Sequence, residues 1–377
     1  MRIALISPFP PLKGGIARFS SRLVSSFEEV GCQVVPVPFR RLYPGWLLKG
    51  RSAAEPGHPD VPESSFLLDL MNPLSWLATA RSIRRHSPDV LLVAYWTGLL
   101  APLCVVLRAV TGIRTYVLLH NFSSHEPIPA ESLLQRMLLA SADGFLTLSG
   151  SVRRELEARG GGKPVLTLFH PLFEPHGAMP PKRDARRMLG LSDESKVLLF
   201  FGYVRRYKGL EVLLEAMASA HRQDPSLKLV VAGEFIRDAG HFRAIAERLG
   251  ITGCIDFRPG YVPADEVGRL FAAADAVVLP YLSATQSGVV PLAFGHGVPV
   301  IACDAGGLSS QVAHGRTGWV VDRTGPEALA EGILAFFAKR AEMPLDEGIE
   351  EARNANSWKV FAEEAAAFLE KETRGAA

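Results

Sequence analysis

The sequence predicts an α/β protein of two Rossmann-like domains in tandem, facing each other across a cleft, and three observations carry that prediction. The chain has 377 residues, which suits two cores of ordinary size, since domains cluster at roughly 100 to 200 residues. Short apolar runs alternate with amphipathic stretches along the chain, the pattern of parallel strands joined by crossover helices. Between Phe169 and Lys196 lie His170-Pro171, Pro175, Gly177, Pro180, Pro181 and a charged run, which is linker composition. The boundary is therefore expected near residue 180. Domains at 1–180 and 181–356 follow, with a terminal segment 357–377 whose helix is long enough to cross back to the first domain.

The first unit is the clearest. Arg2–Ser7 reads as a strand, Pro8–Gly15 as a Pro/Gly-rich loop, Ile16–Val30 as an amphipathic helix ended by Gly31, and Gln33–Val37 as the next strand. Residues 40–72 break the rhythm, mixing Pro, Gly and Ser with aromatics, and read as a long excursion that lines a substrate cleft or folds on binding. Strands are then expected at Val90–Tyr95, Thr115–His120, Gly144–Leu148 and Val165–Phe169. The second series predicts strands at Lys196–Val204, Lys228–Ala232, Ile255–Phe257, Ala276–Pro280, Pro299–Cys303 and Trp319–Val321. Helices are expected at Gly209–Ala220, His241–Leu249, Asp265–Ala274, Val289–Gly295 and Ser357–Glu370.

Composition excludes several classes. With 48% hydrophobic and 21% charged residues the chain is globular rather than disordered. Its 41 Lys and Arg against 39 Asp and Glu leave +2, without the excess of a nucleic-acid binder. Residues 1–178 carry 18 basic against 13 acidic side chains, and the remainder carries 23 against 26. The basic first half is compatible with peripheral contact at an acidic lipid surface, or simply with a solvated surface. Cys32, Cys104, Cys254 and Cys303 form no Cys-x-x-Cys pair and read as core residues of a reducing compartment. The opening residues are too short an apolar run for a signal peptide, and residues 88–120 are divided by Pro88, Pro102, Arg108, Gly112 and Arg114 below the ~20 residues of a membrane span. A cytoplasmic protein is expected.

Four features could carry chemistry. Gly14-Gly15-Ile16 follows the first strand and opens the first helix, so backbone N–H groups could face a phosphate; a ligand-free tight turn reads the same way. It is not Gly-x-Gly-x-x-Gly, and no acidic residue ends the second strand, which disfavours a dehydrogenase. In Phe200–Leu210, FFGYVRRYKGL, Arg205, Arg206 and Lys208 fill a short loop before a helix, suiting either a diphosphate or solvent. Tyr281–Val290, YLSATQSGVV, offers small hydroxyl and amide residues either to a sugar or phosphate or as a helix N-cap. His120-Asn121 closes a strand, where a histidine serves as a structural hydrogen-bonding group or in catalysis.

In this order, GGI at 14–16, HN at 120–121, FGYVRRYKG at 201–209, ATQSGV at 284–289, GVPVIACDAGGL at 297–308 and GRTGWVV at 315–321 resemble glycosyltransferase family 4 over nearly the whole chain. The resemblance implies the GT-B fold and transfer of a sugar from a nucleotide diphosphate sugar with retention of anomeric configuration. The C-terminal domain would hold the nucleotide and the N-terminal domain mainly the acceptor. It implies that Gly14 and Gly15 lie near the donor phosphates, that His120 touches the transferred sugar, and that Arg205 and Lys208 bind the diphosphate. Gly233, Glu234, Gly260 and Tyr261 would wall the nucleotide pocket.

Two departures stand out. The family's usual Arg directly after Gly202 is Tyr203 here, with Arg205 taken as its substitute. The family's two glutamates, eight positions apart, fall on Ala284 and Leu292 when counted back from Gly297-Val298-Pro299. Donor binding is then expected to rest on Thr285, Gln286, Ser287 and Gly288. No Asp-x-Asp occurs, so neither a metal nor a further cofactor is expected. The resulting expectation is a retaining hexosyltransferase that acts on a glycan or lipid-linked acceptor in surface polysaccharide or glycolipid assembly. The alternatives are a non-catalytic donor-binding or regulatory partner and a nucleotide-sugar epimerase of the same fold.

Overall fold

The computed structural model describes residues 1–12, 14–42, 68–123, 130–160, 162–172, 179–236, 238–284 and 287–375. The chain forms two compact units, Met1–His170 with Ser357–Ala377, and Pro171–Asn356.

The first unit runs β1 (Arg2–Ser7), α1 (Gly15–Glu29), β2 (Gln33–Arg41), β3 (Leu68–Asp69), α2 (Pro73–Arg85), β4 (Val90–Tyr95), α3 (Ala101–Thr111), β5 (Arg114–Leu119), α4 (Glu131–Ser141), β6 (Gly144–Thr147), α5 (Gly150–Glu157) and β7 (Val165–Thr167). The strands form a parallel sheet in the order β3-β2-β1-β4-β5-β6-β7. Strand β2 is longer than the sequence suggests because Pro36 and Pro38 are tolerated inside it. Its outer neighbour β3 pairs only with Phe39 and Arg41, so the prolines lie where that edge requires no donor. The apolar stretch 88–120 resolves into β4, α3 and β5, with Pro102 in the first turn of α3 and Gly112 capping its end. Of the excursion expected at 40–72, residues 43–67 lie outside the described residues.

The second unit runs α6 (Lys182–Leu189), β8 (Lys196–Phe201), α7 (Leu210–Gln223), β9 (Leu227–Gly233), α8 (Ala239–Arg248), β10 (Ile255–Pro259), α9 (Ala264–Ala273), β11 (Ala276–Leu279), α10 (Val289–Gly295), β12 (Val300–Cys303), β13 (Gly318–Val321), α11 (Pro326–Lys339) and α12 (Leu345–Ala355). Its sheet is again parallel, in the order β10-β9-β8-β11-β12-β13. The last helix, α13 (Trp358–Arg374), belongs to the first unit.

The unit boundary at His170/Pro171 precedes the expected residue 180 for a packing reason. Leu172 is buried in the second unit's core, and its N–H donates to Asn356 O at 3.1 Å. Helix α6 is tied down as well, since the buried Arg186 guanidinium donates to Asp275 at 2.7 Å and to Ala273 O at 3.1 Å. Proline-rich composition marked the connection, whereas burial decides which unit owns it.

Each sheet is covered on both faces, as parallel sheets require. In the first unit, α1 and α13 pack Phe19, Leu23, Phe27, Trp358 and Phe361 on one face, and α2 to α5 pack Ile83, Leu103, Leu107, Leu138 and Leu156 on the other. In the second, α7, α8 and α11 cover one face, and α9, α10 and α12 the other. Strand order reverses between β1 and β4 and between β8 and β11. Ligands of such sheets bind beyond the strand C-termini at these switch points, and the sequence motifs follow β1, β5, β8, β9 and β11.

Candidate active site

In the second unit, three strand ends are drawn together by contacts that only glycine permits. After β8 the backbone lies along the end of β9, with Gly202 N–H donating to Ala232 O at 3.0 Å and Val204 N–H to Glu234 O at 2.9 Å. Gly233 has φ +146, and a Cβ there would stand 1.9 Å from Gly202 O. Gly209 has φ +70, and a Cβ there would stand 2.0 Å from Pro280 O at the end of β11. Both positions are closed to a side chain by conformation and by space.

Lys208 follows from this closeness. It ends a tight turn, Arg206–Lys208, and is buried, at 8% exposure. Its Nζ lies 5.4 Å from the centroid of the Tyr281 ring. It is also 3.2 Å from where a Gly202 Cβ would be. Among the described residues no carboxylate forms an ion pair with it. Burial lowers its pKa; the neighbouring Tyr207 acts against that shift and the Arg205 charge with it. A buried ammonium without an acidic partner is costly, and the cost falls when an anion arrives with charge-assisted hydrogen bonds. Arg205 is exposed at the start of the same turn.

The other expected donor residues divide into several situations. Glu234 and Tyr261 are half-buried beyond the ends of β9 and β10, where Gly260 N–H donates to Gly233 O at 2.9 Å. Thr285 and Gln286 lie outside the described residues. Ser287 is buried and serves the loop itself. Its N–H donates to Gln311 Oε1 at 2.7 Å, while its Oγ is 3.2 Å from the Tyr281 hydroxyl and accepts from Val289 N–H at 3.2 Å. Gly288, exposed, precedes α10. Ala284 is buried, with its carbonyl accepting from Gly307 N–H at 2.7 Å, and Leu292 packs against the core. The two positions that lack glutamate are thus used for packing.

In the first unit, Gly14 caps α1 with φ +125 and Gly15 begins the helix with its backbone exposed. His120 stands one residue beyond β5, its N–H donating to Tyr95 O at 2.9 Å. It is buried, edge-on to Phe19 with ring centroids 5.0 Å apart. Phe19 makes a similar contact with His170 at 5.2 Å. Burial, with a smaller contribution from His170, pushes the His120 pKa down to about 3, so the imidazole is neutral at pH 7. In that state it contributes as a hydrogen-bonding group and not as a cation.

Sequence reasoning missed Tyr281 and Gln311. Tyr281 heads the hydroxyl-rich run and was visible as its aromatic residue; Gln311, in the turn Ser309–Gln311, carries no sequence signal. Among the described residues no three His, Cys, Asp or Glu side chains are grouped to hold a metal ion.

Residues 14–171 match the family described as Glycosyl transferase 4-like domain, and residues 195–339 match Glycosyl transferases group 1. The chain belongs to the family 4-like glycosyltransferases. This family membership makes it a hexosyltransferase that works with a nucleotide-sugar donor. A D-inositol 3-phosphate glycosyltransferase of Geodermatophilus obscurus is 27% identical over 368 residues, covering 94% of this chain and 76% of the relative. Solved glycosyltransferase structures share the GT-B fold. Sucrose-phosphate synthase from Thermosynechococcus elongatus superimposes with a TM-score of 0.78 at 20% identity, covering 100% of both chains. Anabaena HepE in complex with UDP-glucose gives 0.76 at 16% identity, covering 98% of this chain and 100% of HepE. Among the described residues of this glycosyltransferase, no helix is long and apolar enough to cross a membrane.

Proposed function

We propose that this glycosyltransferase transfers a hexose with retention from a nucleotide diphosphate sugar to a glycan or lipid-linked acceptor, without a metal or other cofactor. The observation that carries the reading is the ammonium of Lys208, buried at the switch point of the second unit and without an ion pair among the described residues. Departure of the diphosphate is the step that builds negative charge, and Lys208 with Arg205 supplies fixed positive charge for it. Gly14 and Gly15 add helix N-terminal amides, and neutral His120 adds a hydrogen bond to the sugar. UDP-glucose is the first donor to test, because HepE binds it.

Surface polysaccharide or glycolipid assembly, on the cytoplasmic side of a membrane, is the setting we favour, from the basic first half of the chain. The name of the Geodermatophilus relative favours a second acceptor class, a small phosphorylated polyol. The test has two stages. Calorimetric titration with nucleoside diphosphates and their sugars identifies the donor, and product NMR with glycan, lipid-linked and inositol phosphate acceptors identifies the acceptor and its anomeric outcome. Absence of binding by every nucleoside diphosphate would overturn the donor assignment, and an inverted product would overturn retention.

A further inference from the structure

The layer formed by α2, α3 and α4 on one face of the first sheet has an outer surface that the chemistry above does not use. In the first unit, the exposed large apolar side chains among the described residues are Met71, Leu74, Leu99 and Leu133, at 46%, 74%, 48% and 58% exposure. All four lie at one end of this layer. Met71 and Leu74 flank the start of α2, Leu99 sits in the turn leading into α3, and Leu133 is in the first turn of α4. Scattered exposed leucines are ordinary, whereas a group confined to the adjoining starts of packed helices is not.

Charge follows the same helices. Leu74, Ala78, Arg81 and Arg85 recur at helical spacing along one exposed stripe of α2, and Leu133, Arg136 and Ala140 do so on α4. Arg84 is exposed beside that stripe. Among the described residues none of Arg81, Arg84, Arg85 and Arg136 forms an ion pair. The acidic side chain in these three helices is Glu131, at the start of α4; α2 and α3 contain none. Arg108 of α3, by contrast, is paired with Asp143 at 3.1 Å. Four arginines without an ion pair among the described residues, against one glutamate and beside exposed leucines, is the makeup of helices that lie in a membrane interface. A second copy of this chain would set these arginines against each other, and a neutral lipid would leave them without counter-charges.

We propose that the outer face of α2, α3 and α4 docks on an anionic lipid surface. Leu74, Leu99 and Leu133 enter the acyl boundary, and Arg81, Arg85 and Arg136 meet lipid phosphates. This rests on the membrane-side setting proposed above and stands apart from the donor chemistry, so either can fail alone. The contact leaves the strand C-termini, where an acceptor would be glycosylated, at the same end of the unit as the inserting leucines.

The test is flotation of the full chain with vesicles of equal parts phosphatidylglycerol and phosphatidylcholine, against phosphatidylcholine alone, with no nucleotide present. Binding is expected with the anionic vesicles and should weaken with salt. Each of Arg81→Glu and Arg85→Glu should lower partitioning about fivefold or more, the size of one basic contact. The pair Leu74→Ser with Leu133→Ser should lower it at every salt concentration. Unchanged thermal unfolding would confirm that these exposed substitutions leave the fold intact. Equal binding to both vesicle types, no binding to either, or indifference to all four substitutions would overturn the assignment. A dimer in sedimentation that these substitutions dissolve would also overturn it, in favour of a second copy.

Discussion

The Lys208 ammonium lies over the face of Tyr281, 5.4 Å from the ring centroid, and Tyr281 in turn reaches Ser287 through its hydroxyl at 3.2 Å. An aromatic face attracts a cation by roughly 0.5 to 2 kcal/mol without neutralising it. A carboxylate in the same place would satisfy the ammonium and compete with an incoming diphosphate. The ring therefore orients Lys208 and leaves its charge available.

Replacing Lys208 separates binding from stability. Lys208→Met should weaken nucleoside diphosphate binding by about 1.5 to 3 kcal/mol, the size of a charged hydrogen bond. The same variant should melt higher than the parent without ligand, because a buried unpaired charge gives way to an apolar chain. Calorimetry and thermal unfolding read the two effects. Unchanged affinity would remove Lys208 from the diphosphate site.

Tyr281 offers a paired comparison. Tyr281→Phe keeps the aromatic face and should preserve most nucleotide affinity while losing a hydrogen bond of about 1 kcal/mol in stability. Tyr281→Leu removes the face and should lower nucleotide affinity as well. Equal loss of affinity in both variants would place the contribution in the hydroxyl instead.

The sequence made both sheets legible because their strands are short apolar runs punctuated by Pro and Gly. Arg2–Ser7 and Val90–Tyr95 end where the spacing places them. The basic loop proposed for the diphosphate was legible as Arg205, Arg206 and Lys208 before a helix, although a solvated loop reads the same way. What stayed hidden depends on contacts distant in sequence. Burial of Lys208 requires Tyr281, 73 positions away (281 − 208), and the hold on Ser287 comes from Gln311. The extension of β2 through Pro36 and Pro38 could not be read without knowing which edge of that strand lacks a neighbour.

Close backbone approach makes Gly233 a sensitive position. Gly233→Ala would set a methyl 1.9 Å from Gly202 O at a φ of +146. The loop must move or β9 must unpair at its end. A stability loss of more than about 2 kcal/mol is expected in denaturant titration, together with loss of nucleotide binding. A variant of normal stability and affinity would show that the two strand ends are not held this tightly.

The positions that lack glutamate should resist its return. Leu292 packs against the second unit's core, so Leu292→Glu removes apolar burial and places a carboxylate among hydrophobic neighbours. A loss of about 1 to 3 kcal/mol is expected, with no gain in turnover. Increased turnover with the natural donor would mean that the carboxylate finds the nucleotide despite its surroundings.

His120 gives a prediction in pH. Its pKa is pushed down to about 3 by burial, with His170 adding to the shift, while an unfolded histidine titrates near 6.5. Above about pH 6.5 both states are neutral and the group makes stability independent of pH. As pH falls from about 6.5 towards 3, the unfolded chain takes up a proton that the folded chain refuses, so stability declines by up to about 1.4 kcal/mol per pH unit. His120→Gln should remove that part of the acid slope in urea titrations while leaving nucleotide affinity at pH 7 nearly intact. Turnover should fall in the same variant, because the proposed hydrogen bond is to the transferred sugar. A retained acid slope would show that His120 is accessible to protons in the folded chain, and a parallel loss of affinity and turnover would assign it to the architecture of the first unit.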